Sequence, residues 1–308
     1  METFRNTGET ANSLRRKTMS KAAAKTGPQP TALVAMEQFF PESERILRDD
    51  WANKMISGPM GGFVRYMKWQ AFRNWMIRQS EKAIPGSWAG ILCRKRYIDD
   101  QLLSYAGQYE TIVNLGAGFD TRAFRLDALR SVPVWELDQQ EIIAAKQKQL
   151  DQLRSEIPHN IRLVPVDFDR ETIVDALLRS GYGFDTRTFF ILEAVTQYLT
   201  EDGLSGLFSA LSRAAKGSLL AFTYITGDFM AGRELYGAKR AYDQFVVRDK
   251  LWLCGKNAEE WEVFLSQYGY AVVEHADMGA MTRAYITPTG RNLTISPLER
   301  IILARKEE

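Results

Sequence analysis

Asn114-Leu115-Gly116-Ala117-Gly118-Phe119-Asp120-Thr121-Arg122 continues a short apolar run that begins at Thr111. The run predicts a buried β-strand, and the two glycines predict a tight turn at its carboxyl end. Glycine lets the backbone turn sharply and lie against a flat ligand, because no Cβ stands in the way. We therefore expect a strand–turn unit of an α/β sheet, with a binding site at the turn.

The segments on either side of this turn support the same fold class. Short apolar strand patterns alternate with helical patterns, and such alternation indicates βαβ units and a mostly parallel sheet. Asn257 predicts the amino-terminal cap of one of the helices. The predicted strands are 111–115, 132–137, 161–166, 188–192, 218–224, 270–275 and 298–305, and the predicted helices include 139–154, 170–180, 201–215 and 257–267.

The rest of the chain divides into three kinds of segment. Residues 1–30 are rich in Thr, Ser, Lys, Gly and Ala, which is typical of a flexible amino-terminal arm. Residues 31–108 have helical periodicity and predict a helical cap, whereas 109–308 form the α/β domain. Residues 225–256 interrupt the strand–helix alternation, and we predict that they form a lid over a substrate.

Composition excludes several classes of protein. The 308 residues have a net charge of +2, too small an excess to predict a nucleic-acid partner. Two cysteines and two histidines predict neither a disulfide framework nor a metal site. No stretch approaches the roughly 18 apolar residues of a membrane span. We expect a cytoplasmic protein without a membrane partner, and composition leaves its oligomeric state open.

Acidic residues follow successive predicted strands. Ligands of open α/β sheets bind beyond the carboxyl ends of the strands. Asp138 follows the second strand and can accept hydrogen bonds from both hydroxyls of a ribose. Asp167 follows the third strand and can accept from an adenine amino group, with Phe168 beside the base. Glu136 lies two residues before Asp138, and we expect it on the other side of the pleat or in a structural role.

The identity of the nucleoside is suggested by the end of the glycine turn. Thr121 stands where a pyrophosphate-binding turn has its third glycine, and Asp120 adds a negative charge that repels phosphate. S-adenosylmethionine carries a sulfonium and an ammonium group and no phosphate, so it suits this turn better. An NAD(P)-dependent oxidoreductase stays open as an alternative, as does a protein that keeps the fold without activity.

Five motifs together resemble one family. The segment 114–125 (NLGAGFDTRAFR) resembles the first motif of the leucine carboxyl methyltransferase family and its bacterial O-methyltransferase relatives. The segments 93–100 (CRKRYIDD), 135–139 (WELDQ), 166–168 (VDF) and 192–199 (LEAVTQYL) resemble other motifs of that family. The likeness covers about residues 92 to 224. The segments that would select the substrate, 1–90 and 225–256, match poorly.

This resemblance implies a Rossmann-like methyltransferase sheet of seven strands with an antiparallel final strand, and S-adenosylmethionine as cofactor. It implies that Arg94, with Arg96 as its near competitor, holds the methionine carboxylate of the cofactor. Glu193 would face the methionine ammonium or the reaction centre. The cofactor-binding residues expected in all are Arg94, Arg96, Asn114, Gly116, Ala117, Gly118, Asp120, Asp138, Asp167, Phe168 and Glu193.

The expected reaction is methylation of a carboxylate or hydroxyl oxygen on a small molecule, such as a natural-product intermediate. Protein carboxyl methylation is the next alternative. A carboxylate acceptor needs no base, whereas a hydroxyl must lose its proton. The candidate bases are Glu193, His275, Tyr198 and Tyr224. Aromatic residues of the cap and the insertion are candidates for lining an apolar acceptor pocket, namely Tyr66, Trp69, Tyr236, Tyr242 and Trp252.

Overall fold

The computed structural model describes residues 28–56, 58–153, 157–167 and 170–307. Most of the predicted arm, residues 1–27, therefore lies outside the described residues, as does Phe168. The first helix begins at Pro28, three residues before the predicted start of the cap. Neither Cys93 nor Cys254 forms a disulfide, and both are buried.

The predicted Rossmann-like sheet is confirmed. Within the described residues the sheet has seven strands in the order β3-β2-β1-β4-β5-β7-β6, and only the last strand of the chain, β7, runs antiparallel to its neighbours. The order reverses at β1, which pairs with both β2 and β4. The strands are β1 Thr111–Leu115, β2 Val134–Gln139, β3 Ile161–Val166, β4 Thr188–Leu192, β5 Leu219–Ile225, β6 Tyr270–His275 and β7 Glu299–Lys306.

Helices precede the sheet and connect its strands. The predicted cap of the helix after residue 257 is present, because Asn257 and Glu260 form a reciprocal capping box. The helices are α1 Pro28–Glu37, α2 Ala52–Met55, α3 Gly58–Arg65, α4 Gln70–Ala83, α5 Ser87–Ser104, α6 Arg122–Arg125, α7 Gln140–Gln152, α8 Ile173–Arg179, α9 Glu201–Leu211, α10 Gly227–Met230, α11 Lys239–Ala241, α12 Ala258–Ser266 and α13 Met278–Met281.

Short 3₁₀ and π-helical turns lie between these helices. The segment 225–256, which interrupts the strand–helix alternation, contains α10, α11 and a π-helical turn. The 3₁₀ turns are Glu42–Glu44, Tyr66–Lys68, Asp127–Leu129, Thr196–Tyr198 and Thr287–Thr289, and the π-helical turns are Tyr242–Arg248 and Thr282–Ile286.

The sheet is covered on both faces, which explains why β1 is apolar along its length. Ile112 packs on the face covered by α1 and α5, whereas Val113 and Leu115 pack on the face covered by α8, α9 and α12. All five residues of β1 are buried. This packing places α5 against the sheet, with one of its polar residues, Arg94, beside the strand ends. Among the described residues, no helix is both long enough and apolar enough to cross a bilayer.

Candidate functional site

The turn after β1 lies so close to the connection that follows β4 that it requires glycine. Gly116 has a φ of 75°, and its backbone N–H donates to Leu137 O at 2.8 Å. A Cβ added to Gly116 would lie 2.5 Å from Cγ2 of Val195, in the connection that follows β4. Gly118 also has a positive φ, of 51°. Left-handed backbone and a close neighbour thus select glycine at the centre of the predicted motif.

Asp138 is fastened to this turn by its side chain. Its Oδ2 accepts from the backbone N–H of Gly118 at 2.7 Å, and its Oδ1 accepts from the backbone N–H of Gln139 at 2.7 Å. Burial raises the pKa of Asp138, and these two donors partly offset that effect. A carboxylate has about four acceptor positions, so the two N–H groups leave capacity for a ligand diol.

Asp167 lies at the same edge of the sheet as Asp138. The strand β2 extends two residues beyond its predicted end, so Asp138 lies within the last two residues of β2, opposite Pro165 of the parallel strand β3, and Asp167 directly follows β3. Oδ2 of Asp167 lies 3.4 Å from Nε of Arg170, and its side chain is 44% exposed. The structure therefore brings the two acids to one edge, as the motif order predicts.

Glu193, which follows β4, lies among three cationic side chains. Its carboxylate is 2.9 Å from Nε of Arg94, 3.1 Å from Nζ of Lys95 and 2.8 Å from Nη2 of Arg122. Burial alone would raise the pKa of Glu193, but Lys95, Arg122 and Arg94 outweigh burial and hold it at about 2. Glu193 is therefore an anion at neutral pH, and a weak base.

The residue after Glu193 has strained backbone. Ala194 has a φ of 58°, and its N–H donates to Oγ1 of Thr223 on β5 at 2.8 Å. A left-handed conformation is costly for alanine and persists only where the surroundings enforce it. The strain therefore marks the end of β4 as a position where geometry is specified closely.

Arg94 joins β4 to β7 through two carboxylates. Besides Glu193, it contacts Glu299, whose two oxygens accept from Nη1 at 2.9 and 2.7 Å. Burial would lower the pKa of Arg94, but Glu299 and Glu193 raise it above its usual range. Arg96 lies elsewhere on α5, where its side chain contacts Asp100, the carbonyl oxygen of Ile46 and the ring of Tyr285. Of the two candidate arginines, only Arg94 reaches the strand ends.

Asp120 has a structural partner that the sequence argument did not anticipate. Its Oδ2 accepts from Nδ2 of Asn114 at 3.0 Å and forms a short ion pair with Nη1 of Arg122. Although burial would raise the pKa of Asp120, Arg122 and Lys95 hold it far below its usual range. Because Arg122 neutralises this carboxylate, repulsion of phosphate by Asp120 is weaker than we predicted.

Arg122 ties the glycine turn to the amino-terminal helices. Its side chain is 3% exposed and donates from Nε to Oδ1 of Asp99 on α5 at 2.7 Å. Nearby, Oγ1 of Thr121 and Nε of Arg125 both contact Asp49. Sequence reasoning missed this network and its other members, Lys95 and Glu299. The available signal was the presence of Arg122 and Arg125 inside the first motif.

Glu136 has the structural role that we anticipated. It is 1% exposed and accepts from Nζ of Lys146 at 2.6 Å. Burial raises the pKa of Glu136, and the ammonium group of Lys146 opposes that shift. Lys146 also donates to the backbone oxygen of Asp120, so the Glu136–Lys146 ion pair helps to hold the glycine turn in place.

Two of the four candidate bases, His275 and Tyr224, lie away from the group of cations. His275 is on the edge strand β6, separated from β4 by β5 and β7, and contacts Glu262 at 3.1 Å. Tyr224 is 2% exposed and packs against Trp261, and burial raises its pKa to about 12. Tyr198 ends the 3₁₀ turn that follows Glu193. Glu193 contacts both Arg94 and Arg122.

The candidate pocket aromatics form two separate groups. Tyr66 and Trp69 contact each other and are half-exposed. Tyr236, Tyr242 and Trp252 pack with Phe229 and Phe245 in the insertion. Beside the second group is a depression of about 530 Å³, lined by Glu201, Gly227, Met230, Ala231, Arg233, Val246, Lys250, Trp252, Leu253, Gly255 and Glu260.

Comparisons with known proteins agree with the motif resemblance. A family model described as leucine carboxyl methyltransferase matches residues 28–212. A Mycolicibacterium gilvum protein named "Putative S-adenosyl-L-methionine-dependent methyltransferase" is 35% identical over 140 residues, which are 45% of each chain. YktD of Bacillus subtilis, with the same description, is 30% identical over 202 residues, 64% of this chain and 62% of YktD. The match thus spans roughly half the length of these curated relatives.

Solved structures share the fold at low sequence identity. A methyltransferase structure from Thermobifida fusca, itself assigned only provisionally, has a TM-score of 0.53 and 16% identity, covering 77% of this chain and 88% of its own. A DUF574 family protein from Streptomyces avermitilis also has a TM-score of 0.53, at 17% identity, covering 76% and 90%. These similarities support the α/β architecture described above.

Proposed function

The chain belongs to the leucine carboxyl methyltransferase family, and from this premise we propose that it is an S-adenosylmethionine-dependent O-methyltransferase acting on a small molecule. One observation carries the proposal. The glycine turn, Asp138, Arg94 and Glu193 meet at the carboxyl edge of the sheet, beside the point where the strand order reverses.

The chemistry of these groups fits S-adenosylmethionine. Asp138 keeps acceptor capacity for the two ribose hydroxyls after receiving the N–H groups of Gly118 and Gln139. Gly116 lets the turn pass close to Val195, where a Cβ would collide, and so sets the path of the backbone at this edge. Arg94 already binds carboxylates, and a guanidinium suits the methionine carboxylate for the same reason. Glu193 would offer the ammonium group a carboxylate oxygen, although it shares its negative charge with Arg94, Lys95 and Arg122.

S-adenosylmethionine would supply a methyl group bound to a positively charged sulfur. The acceptor oxygen would bond to the methyl carbon on the side opposite the sulfur, which leaves as a neutral thioether. The contribution of this chain is then mainly to orient the two reactants and to exclude water. Asp138 and Arg94 would fix the two ends of the cofactor. Glu193 is held rigidly, because each of its three cationic partners is nearly buried.

The state of three of the four candidate bases favours a carboxylate over a hydroxyl acceptor, and Tyr198, in the turn that follows Glu193, is the base that a hydroxyl acceptor would need. A useful base has a pKa near the working pH. Glu193 has a pKa of about 2, Tyr224 is a core residue, and His275 lies at the far edge of the sheet. A carboxylate acceptor needs no base. A protein carboxyl group is the runner-up acceptor, and an NAD(P)-dependent reaction is the remaining alternative.

Calorimetry with S-adenosylmethionine, S-adenosylhomocysteine and NAD tests the cofactor. We expect micromolar binding of the first two, and tight binding of NAD alone would overturn the proposal. The acceptor is tested by transfer of a radiolabelled methyl group to panels of small carboxylic acids, small phenols and protein carboxyl termini. Methyl esters release methanol in mild alkali whereas methyl ethers do not. Radiolabelled methanol released by alkali therefore indicates a carboxylate acceptor, and label that is retained indicates a hydroxyl acceptor.

A further inference from the structure

Aromatic rings gather on the outside of α3, the 3₁₀ turn Tyr66–Lys68 and α4. Phe63, Tyr66, Trp69 and Trp75 are 39%, 50%, 53% and 45% exposed. Phe63, Tyr66 and Trp75 each contact the ring of Phe72, at centroid distances of 5.4, 6.0 and 5.5 Å. Among the described residues, every aromatic side chain that is this exposed belongs to this one cluster.

The helix α4, which carries Phe72 and Trp75, has no fully buried residue, although Phe72, Met76 and Ile77 are partly buried against the core. All fourteen residues of α4, Gln70–Ala83, are exposed or partly exposed. Globular helices normally bury one apolar stripe, which α4 does only in part, and an extensive exposed apolar patch marks an interaction site. Trp75, Arg78 and Lys82 follow at intervals of three and four residues, so they share one face of the helix.

Cations surround the rings. Arg65, Lys68, Arg78 and Lys82 are exposed, and Nζ of Lys68 lies 5.0 Å from the centre of the Trp69 ring. In the part of the chain that the structure describes, none of the four has a carboxylate within ion-pair distance. The only acidic residue between 58 and 83 is Glu81, which accepts from the backbone N–H of Gly86. We call this surface, with its four rings and four cations, the aromatic–basic face.

We propose that the aromatic–basic face is a peripheral docking surface for an anionic lipid bilayer. Trp and Tyr favour the region between lipid headgroups and acyl chains, because each has an apolar ring and a polar group. Unpaired Lys and Arg beside them are attracted to anionic headgroups. We expected no membrane partner because the sequence has no spanning segment, and a peripheral contact needs none.

Charge disfavours two other occupants of the aromatic–basic face. A second copy of the chain would bring the same four cations against each other, which costs free energy. Residues 1–27 carry six basic and two acidic side chains, so they share the sign of the face. An acidic protein meets the charge requirement, and the experiment below separates it from a bilayer.

The test is co-sedimentation of the whole protein with vesicles, monitored also by tryptophan fluorescence. We expect binding to vesicles that contain phosphatidylserine, weaker binding to phosphatidylcholine alone, and release by added salt. The charge variant Lys68→Glu/Arg78→Glu/Lys82→Glu should bind at least about a hundredfold more weakly. The ring variant Tyr66→Ser/Trp69→Ser/Trp75→Ser should also lose binding, because ring insertion is part of the contact.

The matched control is Lys148→Glu/Arg213→Glu/Lys216→Glu, which makes the same charge change at exposed positions of the α/β domain. It should bind like the unmodified protein, and circular dichroism should show all variants folded. The proposal is overturned if the unmodified protein stays in the supernatant at low salt, or if the ring variant binds normally. It is also overturned if the control variant loses binding to the same extent. Polyglutamate serves as the probe for an acidic protein partner, and binding of polyglutamate without binding of any vesicle would overturn the proposal as well.

Discussion

The guanidinium of Arg122, in the helix that follows the glycine turn, contacts the carboxylate of Glu193 at the end of β4 across 2.8 Å. The two side chains are 3% and 8% exposed. Arg122 also binds Asp99 and Asp120, so one cation joins the turn, the amino-terminal helices and the fourth strand. The binding edge of the sheet is therefore held together by buried charge as well as by backbone hydrogen bonds.

Arg122→Met should lower the free energy of unfolding by about 3–5 kcal/mol, the usual cost of removing one partner from a buried ion pair. The loss has a physical cause in the carboxylates that remain, because Asp120 loses its directly paired cation, whereas Asp99 keeps only Arg125 and Glu193 keeps Arg94 and Lys95. Urea unfolding measures it. Arg130→Met is the control, because Arg130 pairs with Asp127 on the surface, and its loss should stay within about 1 kcal/mol. Equal effects of the two substitutions would contradict the structural role of Arg122.

Asp138→Asn should weaken binding of S-adenosylhomocysteine by about 1–3 kcal/mol, because the amide has one fewer acceptor and must still meet the N–H groups of Gly118 and Gln139. Titration calorimetry measures the dissociation constant. Asp202→Asn, at an exposed position in α9, is the matched control and should leave the constant unchanged. An unchanged constant for Asp138→Asn would remove this residue from the cofactor site.

Glu193→Gln should reduce stability in a pH-dependent way. The pKa of Glu193 falls from its ordinary 4.5 to about 2 in the folded protein, where burial opposes the shift but Lys95, Arg122 and Arg94 outweigh it. A lowered folded pKa stabilises the protein above the unfolded value, and that stabilisation disappears as pH falls through the folded value. The difference in unfolding free energy between the two proteins should thus be constant at neutral pH.

The same difference should shrink between about pH 4.5 and pH 2. Urea unfolding at a series of pH values gives this difference directly. A difference that is independent of pH down to the acid limit would show that Glu193 is not stabilised as an anion by its three neighbours.

Local pattern was sufficient to predict the strands but not the ion-pair network. β1, β3, β4 and β6 begin and end where the apolar runs predict, because each run is bounded by turn residues or glycine. Asp138 and Asp167 reach one edge because consecutive parallel strands end together. Arg94 and Glu299 are 205 residues apart in the chain, and only the insertion of β7 beside β5 brings them into contact.

Asp120 shows the limit of reading a motif one residue at a time. Its charge was interpreted as facing a ligand, yet Arg122, two residues later, folds back and pairs with it. The spacing of the two residues contains no signal of that turn. The turn arises because Asp99 and Glu193 hold the guanidinium in place, and both come from distant segments.

Gly116→Ala should destabilise the protein and weaken cofactor binding, since the new Cβ meets two separate obstacles. A left-handed φ of 75° costs an alanine about 1–2 kcal/mol, and the Cβ would also lie 2.5 Å from Cγ2 of Val195. Adding Val195→Ala removes the collision but leaves the backbone cost, so the double variant should recover only part of the loss. Gly206→Ala is the control.

Gly206 is exposed in α9, with no atom within 4 Å of its added Cβ, and alanine there should stabilise the protein by about 0.5–1 kcal/mol. Urea unfolding of the three glycine-to-alanine proteins and calorimetry with S-adenosylhomocysteine give both quantities. Full recovery in the double variant would mean that the collision with Val195 is the whole cost. No loss in Gly116→Ala would mean that the turn does not require glycine, and it would contradict the role proposed for this turn in the cofactor site.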